Sequence, residues 1–210
     1  MKIDVVKKSI IHLIYPDREA LCSSFVRFQE HYESPKFKGE IFTLGEFRSW
    51  YAQEYGSYTY PRDWDGFNFP CYVLKPFIKG LFDPLTEAEA EIVELFKDRT
   101  DDFYIIGSHE NSGKDVVLHE SFHAVYSLNK EYRDDVNLYL SKCNIDDVMG
   151  LLLEHGYHDD VLLDECNAYI GASSEYLISK GFEVGEEIVA DLNNMFNQAM
   201  VRLDGPIFGH

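Results

Sequence analysis

The stretch His119-Glu120-Ser121-Phe122-His123 is the strongest indication of fold and chemistry in this chain of 210 residues. On an α-helix, residues four positions apart lie on the same face, so both imidazole rings can reach one metal ion. Glu120 directly follows the first histidine, where its carboxylate can act as a general base toward a metal-bound water. This HExxH motif therefore predicts a helix that carries two zinc ligands, His119 and His123, and a catalytic Glu120.

The residues before the motif predict a strand and a loop that lead into this helix. Residues 103–107 read Phe-Tyr-Ile-Ile-Gly, an aromatic and β-branched run that is typical of a strand. Residues 108–113 are all polar or glycine, as expected of a loop. Asp115 is a candidate N-cap, and the apolar residues after it recur at helical spacing. We therefore expect the motif helix to begin near Asp115.

A catalytic zinc site commonly has three protein ligands and one position left for water. The side chains downstream that could complete it are His155, His158, Asp164, Glu165, Glu175 and Glu154. We favour Glu165, because it opens a helix predicted over residues 160–180 and capped by Gly181. The small side chain of Ala168 would let this helix pack closely on the motif helix. The neighbouring Asp164 is expected to matter less for zinc binding.

A His-Glu-x-x-His helix followed, a few dozen residues later, by a helix with a metal-ligating glutamate resembles the gluzincin arrangement of zinc metallopeptidases. The resemblance covers residues 103–180. It implies a zincin-like core in which Zn2+ is held by His119, His123 and Glu165. In zincins, the strand before the motif helix often binds substrate as an added strand. By this resemblance the substrate-binding residues are Tyr104, Ile105, Ile106 and Gly107.

The chain departs from the known patterns at two points. Thermolysin-like gluzincins carry an aspartate four residues after the glutamate ligand, where it orients the first histidine. That position is Tyr169 here, so the orienting partner of His119 must come from elsewhere. The metzincin extension, with a glycine and a third histidine, is absent, since His123 is followed by Ala-Val-Tyr-Ser-Leu-Asn-Lys.

These residues predict a zinc-dependent hydrolase, in the first place a metallopeptidase acting on a peptide or protein substrate. The reaction needs a hydrogen-bond donor for the developing oxyanion. Tyr157, His155 and His158 are candidates, and the sequence does not choose among them. Two alternatives stay open. One is hydrolysis of a non-peptide amide or ester, and the other is a non-catalytic zinc-binding module with His155 or His158 as a fourth ligand.

Composition limits the partners that we expect. The chain has 37 acidic and 19 basic residues and a formal charge of −18. This charge argues against a nucleic acid or an anionic membrane as partner. It either favours basic or neutral substrates or contributes only to solubility. We recognise no signal peptide and no membrane span. The four cysteines are far apart and predict reduced thiols, so we expect a cytoplasmic protein.

The remaining pattern predicts a mainly helical α+β fold, with a small sheet packed on the HExxH helix. We expect residues 1–100 to form a helical, aromatic-rich portion that packs on a zincin-like core of residues 101–210 as one compact unit. The aromatic residues between 50 and 72 would either line a substrate cleft or pin a loop to the core. The predicted helices cover residues 18–32, 43–55, 86–99, 134–142, 145–155 and 184–203. The predicted strands cover residues 3–6 or 10–14, 40–43, 71–74 and 103–107.

Overall fold

A computed structural model of the chain describes residues 1–203, over which it is an α+β protein with a small mixed sheet. The chain divides into two compact units. The first contains residues 1–6 and 11–112, and the second contains residues 7–10 and the described residues from 113 onward. The N-terminal portion was predicted over residues 1–100, and the first unit extends beyond it to residue 112. The boundary follows the strand predicted at 103–107 because that strand pairs inside the sheet of the first unit.

The first unit consists of a four-stranded sheet and five helices, with a short 3-10 turn at Cys71–Val73. The strands are β1 (Lys2–Lys7), β2 (Ile10–Tyr15), β3 (Gly66–Pro70) and β4 (Tyr104–His109). The helices are α1 (Arg18–Glu33), α2 (Leu44–Tyr55), α3 (Tyr60–Asp63), α4 (Leu74–Ile78) and α5 (Glu87–Phe96). Local signals predicted the longer helices correctly. Asp17 caps α1, and complete capping boxes begin α2 and α5 at Thr43 and Thr86.

The sheet has the order β1-β2-β4-β3, with β3 antiparallel to β4. Both strands proposed near the N-terminus are present, and β4 confirms the strand predicted at 103–107. Two predicted strands are wrong. Residues 71–74 turn into helix once the ladder ends at the pair Pro70 and Tyr104. Residues 40–43 form an irregular link that leads into α2.

The aromatic residues of the first unit form its core. Tyr51, Tyr60 and Phe67 belong to one buried hydrophobic cluster together with side chains of α1 and the sheet. The ring of Phe25 on α1 stacks on Phe67, with centroids 5.8 Å apart. The structure thus places these aromatic side chains in the core, the second of the two roles considered for the aromatic segment.

The second unit consists of five helices over its described residues. They are α6 (Lys114–Leu128), α7 (Lys130–Leu140), α8 (Asp146–Glu154), α9 (Leu162–Ser179) and α10 (Glu186–Leu203). All five had been predicted to within a few residues. The last of them was predicted over residues 184–203, and α10 ends at Leu203 among the described residues. The N-cap of α6 is Gly113 and not Asp115, whose carboxylate lies in the first turn of the helix.

Two further observations concern the whole described chain. None of the helices within residues 1–203 combines the length and the apolar character needed to cross a membrane. All four cysteines are free thiols, two of them buried.

Candidate metal centre

Helix α6 brings the two motif histidines together. His119 and His123 are one turn apart, and their Nε2 atoms are separated by 3.2 Å. The two rings are nearly perpendicular, with centroids 4.9 Å apart. Both Nε2 atoms therefore point to the same small volume beside the helix.

Helix α9 adds a carboxylate to this volume. Glu165 Oε2 lies 3.7 Å from His123 Nε2, and the ligand atoms of His119, His123 and Glu165 all lie within 4.8 Å of one another. These three side chains could hold a metal ion. Two ligands about 2.1 Å from a tetrahedral zinc are roughly 3.4 Å apart, close to the separations of 3.2 and 3.7 Å from His123 Nε2 to the other two donor atoms.

Close packing of α6 on α9 makes this approach possible. Gly171 of α9 lies against the ring of Phe122 of α6, and a Cβ at position 171 would meet that ring at 2.3 Å. Phe122 is fully buried and stacks on Phe196 of α10, with centroids 4.1 Å apart. Ala168 is also fully buried, as expected of a small contact residue between the two helices. Small residues on α9 thus allow Glu165 to reach the histidines.

Each histidine is oriented by a second side chain at Nδ1. Asp164 Oδ1 lies 3.0 Å from Nδ1 of His123, and Ser173 Oγ lies 3.2 Å from Nδ1 of His119. The carboxylate of Asp164 is close enough to form an ion pair with the ring of His123 when that ring is protonated. These contacts fix both rings with Nε2 turned toward the shared volume. The sequence analysis found no orienting partner for His119, because Tyr169 stands where thermolysin-like gluzincins have an aspartate. In the structure, Ser173 occupies this role.

The two histidines differ in their affinity for a proton. Burial disfavours the charged form of the His119 ring, and the charge of His123 adds to this effect. Both hold the pKa of His119 well below its usual value. Burial would also lower the pKa of His123, but the carboxylates of Asp164, Glu165 and Glu120 outweigh burial and raise it well above the usual value. Without a metal, His123 therefore binds a proton more readily than His119 does.

Glu120 lies close to this cluster without belonging to it. Its side chain is buried, and its charge acts on both His123 and Tyr169. The ring of Tyr169 packs edge-on against His119, with centroids 4.8 Å apart. Burial is the main reason that the pKa of Tyr169 rises to about 12. The site thus combines three potential ligands with a nearby carboxylate and a phenol that stays protonated.

The three proposed oxyanion donors occupy different positions. Tyr157 is the one connected to the site, since its hydroxyl lies 3.2 Å from that of Tyr169. His155 is exposed at the C-terminal cap of α8. His158 is 72 % exposed at its side chain and pairs with Asp160 at 3.4 Å. Among the residues described, neither histidine joins the ligand cluster, which does not support the alternative that either is a third or fourth metal ligand. Their exposed positions in the α8–α9 link explain this.

The structure contradicts the predicted substrate strand. Tyr104, Ile105, Ile106 and Gly107 lie in β4, and all four are buried. This strand has β2 on one side and β3 on the other, so its backbone cannot accept a further strand. On the neighbouring strand β3, Asn68 N donates to Gln29 Oε1 of α1 at 2.9 Å, so that backbone group is already paired.

Asp164 and Ser173 are the site residues whose roles the sequence did not predict. Asp164 directly precedes Glu165, so its place in the sequence was a signal that it lies near the histidines. Ser173 gave no such signal, since it lies 54 residues from His119. The other carboxylates considered, Glu154 and Glu175, are exposed.

No protein-family model, curated protein or solved structure matches this chain. The functional assignment therefore depends on the geometry of the residues themselves.

Proposed function

We propose that this protein is a zinc-dependent hydrolase, and specifically a metallopeptidase with a gluzincin-like site on a zincin-like core. The observation that carries the proposal is the convergence of His119, His123 and Glu165 within 4.8 Å, with Glu120 buried beside them. Two imidazole nitrogens and one carboxylate oxygen form a donor set that suits zinc.

The ligand set favours a catalytic over a structural role for the metal. Structural zinc sites are closed by four protein ligands, whereas catalytic sites keep one position for water. The ligand group found in residues 1–203 has three members. A purely structural site would also leave no role for Glu120, a carboxylate buried beside the ligands.

The residues divide the chemistry among them. His119, His123 and Glu165 would hold the zinc ion, which would supply a Lewis acid and lower the pKa of a water molecule toward about 7. Glu120 accepts a proton from the attacking water and returns it to the leaving nitrogen of the amide. Asp164 and Ser173 hold the two imidazole rings in the orientation that binding requires. We assign the hydroxyl of Tyr157 as the donor to the developing oxyanion, because its contact with the hydroxyl of Tyr169 connects it to the site.

The charge of the chain favours particular substrates. A formal charge of −18 raises the local concentration of cationic molecules, so basic or neutral peptides are the substrates that we favour. The same site could hydrolyse a non-peptide amide or ester, and a substrate screen that contains all three classes distinguishes these reactions.

The decisive experiment separates metal binding from turnover. Glu120→Gln keeps the shape of the side chain and removes its basicity. We expect the variant to hold about one zinc per chain but to lose roughly 10²–10⁴-fold in turnover of any substrate found for the wild type. Asp115→Asn is the matched control, because Asp115 is an exposed acid on the same helix. Wild-type turnover by Glu120→Gln would remove this residue from the mechanism, and a metal-free wild type would contradict the site itself.

A further inference from the structure

Helix α9 is kinked where it meets the metal centre. Ser173 has φ −126° and ψ 29°, which lie outside the helical range, in the interior of the element. Its Oγ lies 3.2 Å from Nδ1 of His119. The residue that orients the first histidine is therefore the one at which the helix is distorted.

A side chain from α10 binds the backbone of α9 beside this kink. Asn193 Nδ2 lies 2.7 Å from the carbonyl oxygen of Gly171 and 2.9 Å from that of Val189. One amide group thus donates to a carbonyl of α9 and to a carbonyl of its own helix, and both of its hydrogens are used. In a regular helix the oxygen of Gly171 would accept from the residue four positions later. Sharp kinks commonly occur where a side chain enters this ladder.

Helix α10 also contacts the motif helix directly. Phe196 is three residues after Asn193, so both side chains lie on one face of α10. Phe196 stacks on Phe122 with the rings almost parallel, at 5°. One face of α10 therefore contacts both helices that supply metal ligands.

From these contacts we infer that Asn193 is a positioning residue of the metal centre. By binding the carbonyl of Gly171, it holds the kink that presents Ser173 to His119. The inference deepens the proposed function and rests on it, since the histidine concerned is a proposed zinc ligand. Asn193 acts through Ser173, and it touches neither a substrate nor a ligand atom of the cluster.

The first test is zinc affinity, measured by competition with a chelator. Asn193→Asp keeps the size of the side chain but removes both donors. We expect it to weaken zinc binding by about 10-fold, the lower end of the range for residues that support a ligand. Asn194→Asp is the matched control, since Asn194 is the next residue, is exposed, and accepts from Gln198 through an oxygen that aspartate retains. The control adds the same charge, so a loss confined to position 193 reflects the missing donors.

The second test distinguishes positioning from general stability. If Asn193 acts through Ser173, the double variant Ser173→Ala with Asn193→Asp should bind zinc about as weakly as Ser173→Ala alone. Additive losses would overturn the inference, as would zinc binding at the wild-type level in Asn193→Asp. Should Asn193→Asp fail to fold, Asn193→Ser retains one donor without a charge and carries the same comparison.

The third test does not require zinc. In the metal-free protein, ¹⁵N chemical shifts report which ring nitrogen of His119 carries the hydrogen. We expect Asn193→Asp to change the shifts of His119 as Ser173→Ala does, and Asn194→Asp to leave them unchanged. Unchanged shifts in Asn193→Asp would overturn the inference. A wild type that binds no zinc would contradict the proposed function, while these shifts would still decide the role of Asn193.

Discussion

Oδ1 of Asp164 lies 3.0 Å from Nδ1 of His123, so the residue before the proposed third ligand contacts the proposed second one. Adjacent residues on α9 thus perform two different tasks. Glu165 directs an oxygen to the ligand cluster, and Asp164 holds a ring whose other nitrogen belongs to that cluster. A displacement of the start of α9 would therefore disturb both His123 and Glu165.

Loss of the Asp164 carboxylate should weaken zinc binding without abolishing it. Asp164→Ala removes the carboxylate that lies 3.0 Å from Nδ1 of His123, and supporting residues of this kind typically contribute 10–100-fold to metal affinity. We expect a loss in that range, measured by chelator competition. Asp159→Ala is the control, because Asp159 is an exposed acid in the link before α9. Equal affinities for the two variants would show that the contact of Asp164 with His123 does not support the site.

Loss of Glu165 should have the larger effect, since this residue is a proposed ligand. We expect Glu165→Ala to weaken zinc binding by more than about 100-fold, beyond the range of a supporting residue. The exposed Glu175 lies on the same helix, so Glu175→Ala should retain zinc. His158→Ala should retain zinc as well, because that side chain is 72 % exposed and pairs with Asp160. Loss of zinc from His158→Ala but not from Glu165→Ala would show that the ligand set is wrong.

Local signals explain which parts of the fold could be predicted. Asp17, Thr43 and Thr86 cap the helices α1, α2 and α5 through bonds to residues three positions later. Such short-range contacts are visible in the sequence, so these helices could be predicted from it. The strand β3 was missed because Gly66 and Pro70 at its ends resemble turn residues. Its strand conformation depends on pairing with β4, a contact between segments that are far apart in the sequence.

The metal centre shows the same division between local and distant contacts. The spacing of His119 and His123 follows from helical periodicity, and the sequence could predict it. The contact of Ser173 with His119 joins residues 54 positions apart in the sequence and depends on a kink in α9 and on the packing of α9 against α6. No periodicity in the sequence indicates that kink, so the residue that orients His119 could not be identified.

Burial of Glu30 in the first unit predicts a pH dependence of stability. Burial raises the pKa of its carboxyl above the usual 4.5, although Tyr60 donates to it at 2.5 Å. The folded state then binds the proton more tightly than the unfolded state does. The free energy of unfolding should therefore fall as the pH rises from 4.5 through the raised pKa. Each tenfold difference in proton affinity between the folded and unfolded states corresponds to about 1.4 kcal/mol of that fall.

Glu30→Gln should remove this dependence, because the amide has no charge and keeps an oxygen that can accept from Tyr60. We expect the variant to be more stable than the wild type near neutral pH and to lack the decrease above pH 4.5. Urea unfolding at several pH values measures both effects. Glu19→Gln, at an exposed position of the same helix, should follow the wild-type curve. A Glu30→Gln protein less stable than the wild type at neutral pH would show that the Tyr60 bond outweighs the cost of burial.

The close contact between Gly171 and Phe122 makes a further prediction about the metal centre. A Cβ at position 171 would lie 2.3 Å from the ring of Phe122. The ring cannot readily move aside, because it is fully buried and stacks on Phe196. Gly171→Ala must then push α9 away from α6, and overpacking of this kind typically costs about 1–3 kcal/mol. The better helix propensity of alanine offsets at most about 1 kcal/mol of that cost.

The same displacement should lower zinc affinity, because α6 carries His119 and His123 whereas α9 carries Glu165. We expect Gly171→Ala to lose both stability and zinc, measured by urea unfolding and by chelator competition. Gly150→Ala is the matched control: it lies inside α8, and an added Cβ there would meet no atom within 4 Å. That variant should gain about 0.5–1 kcal/mol from the improved helix propensity and should bind zinc as the wild type does. If Gly171→Ala behaves like Gly150→Ala, the close approach of α6 and α9 is not what assembles the ligand cluster.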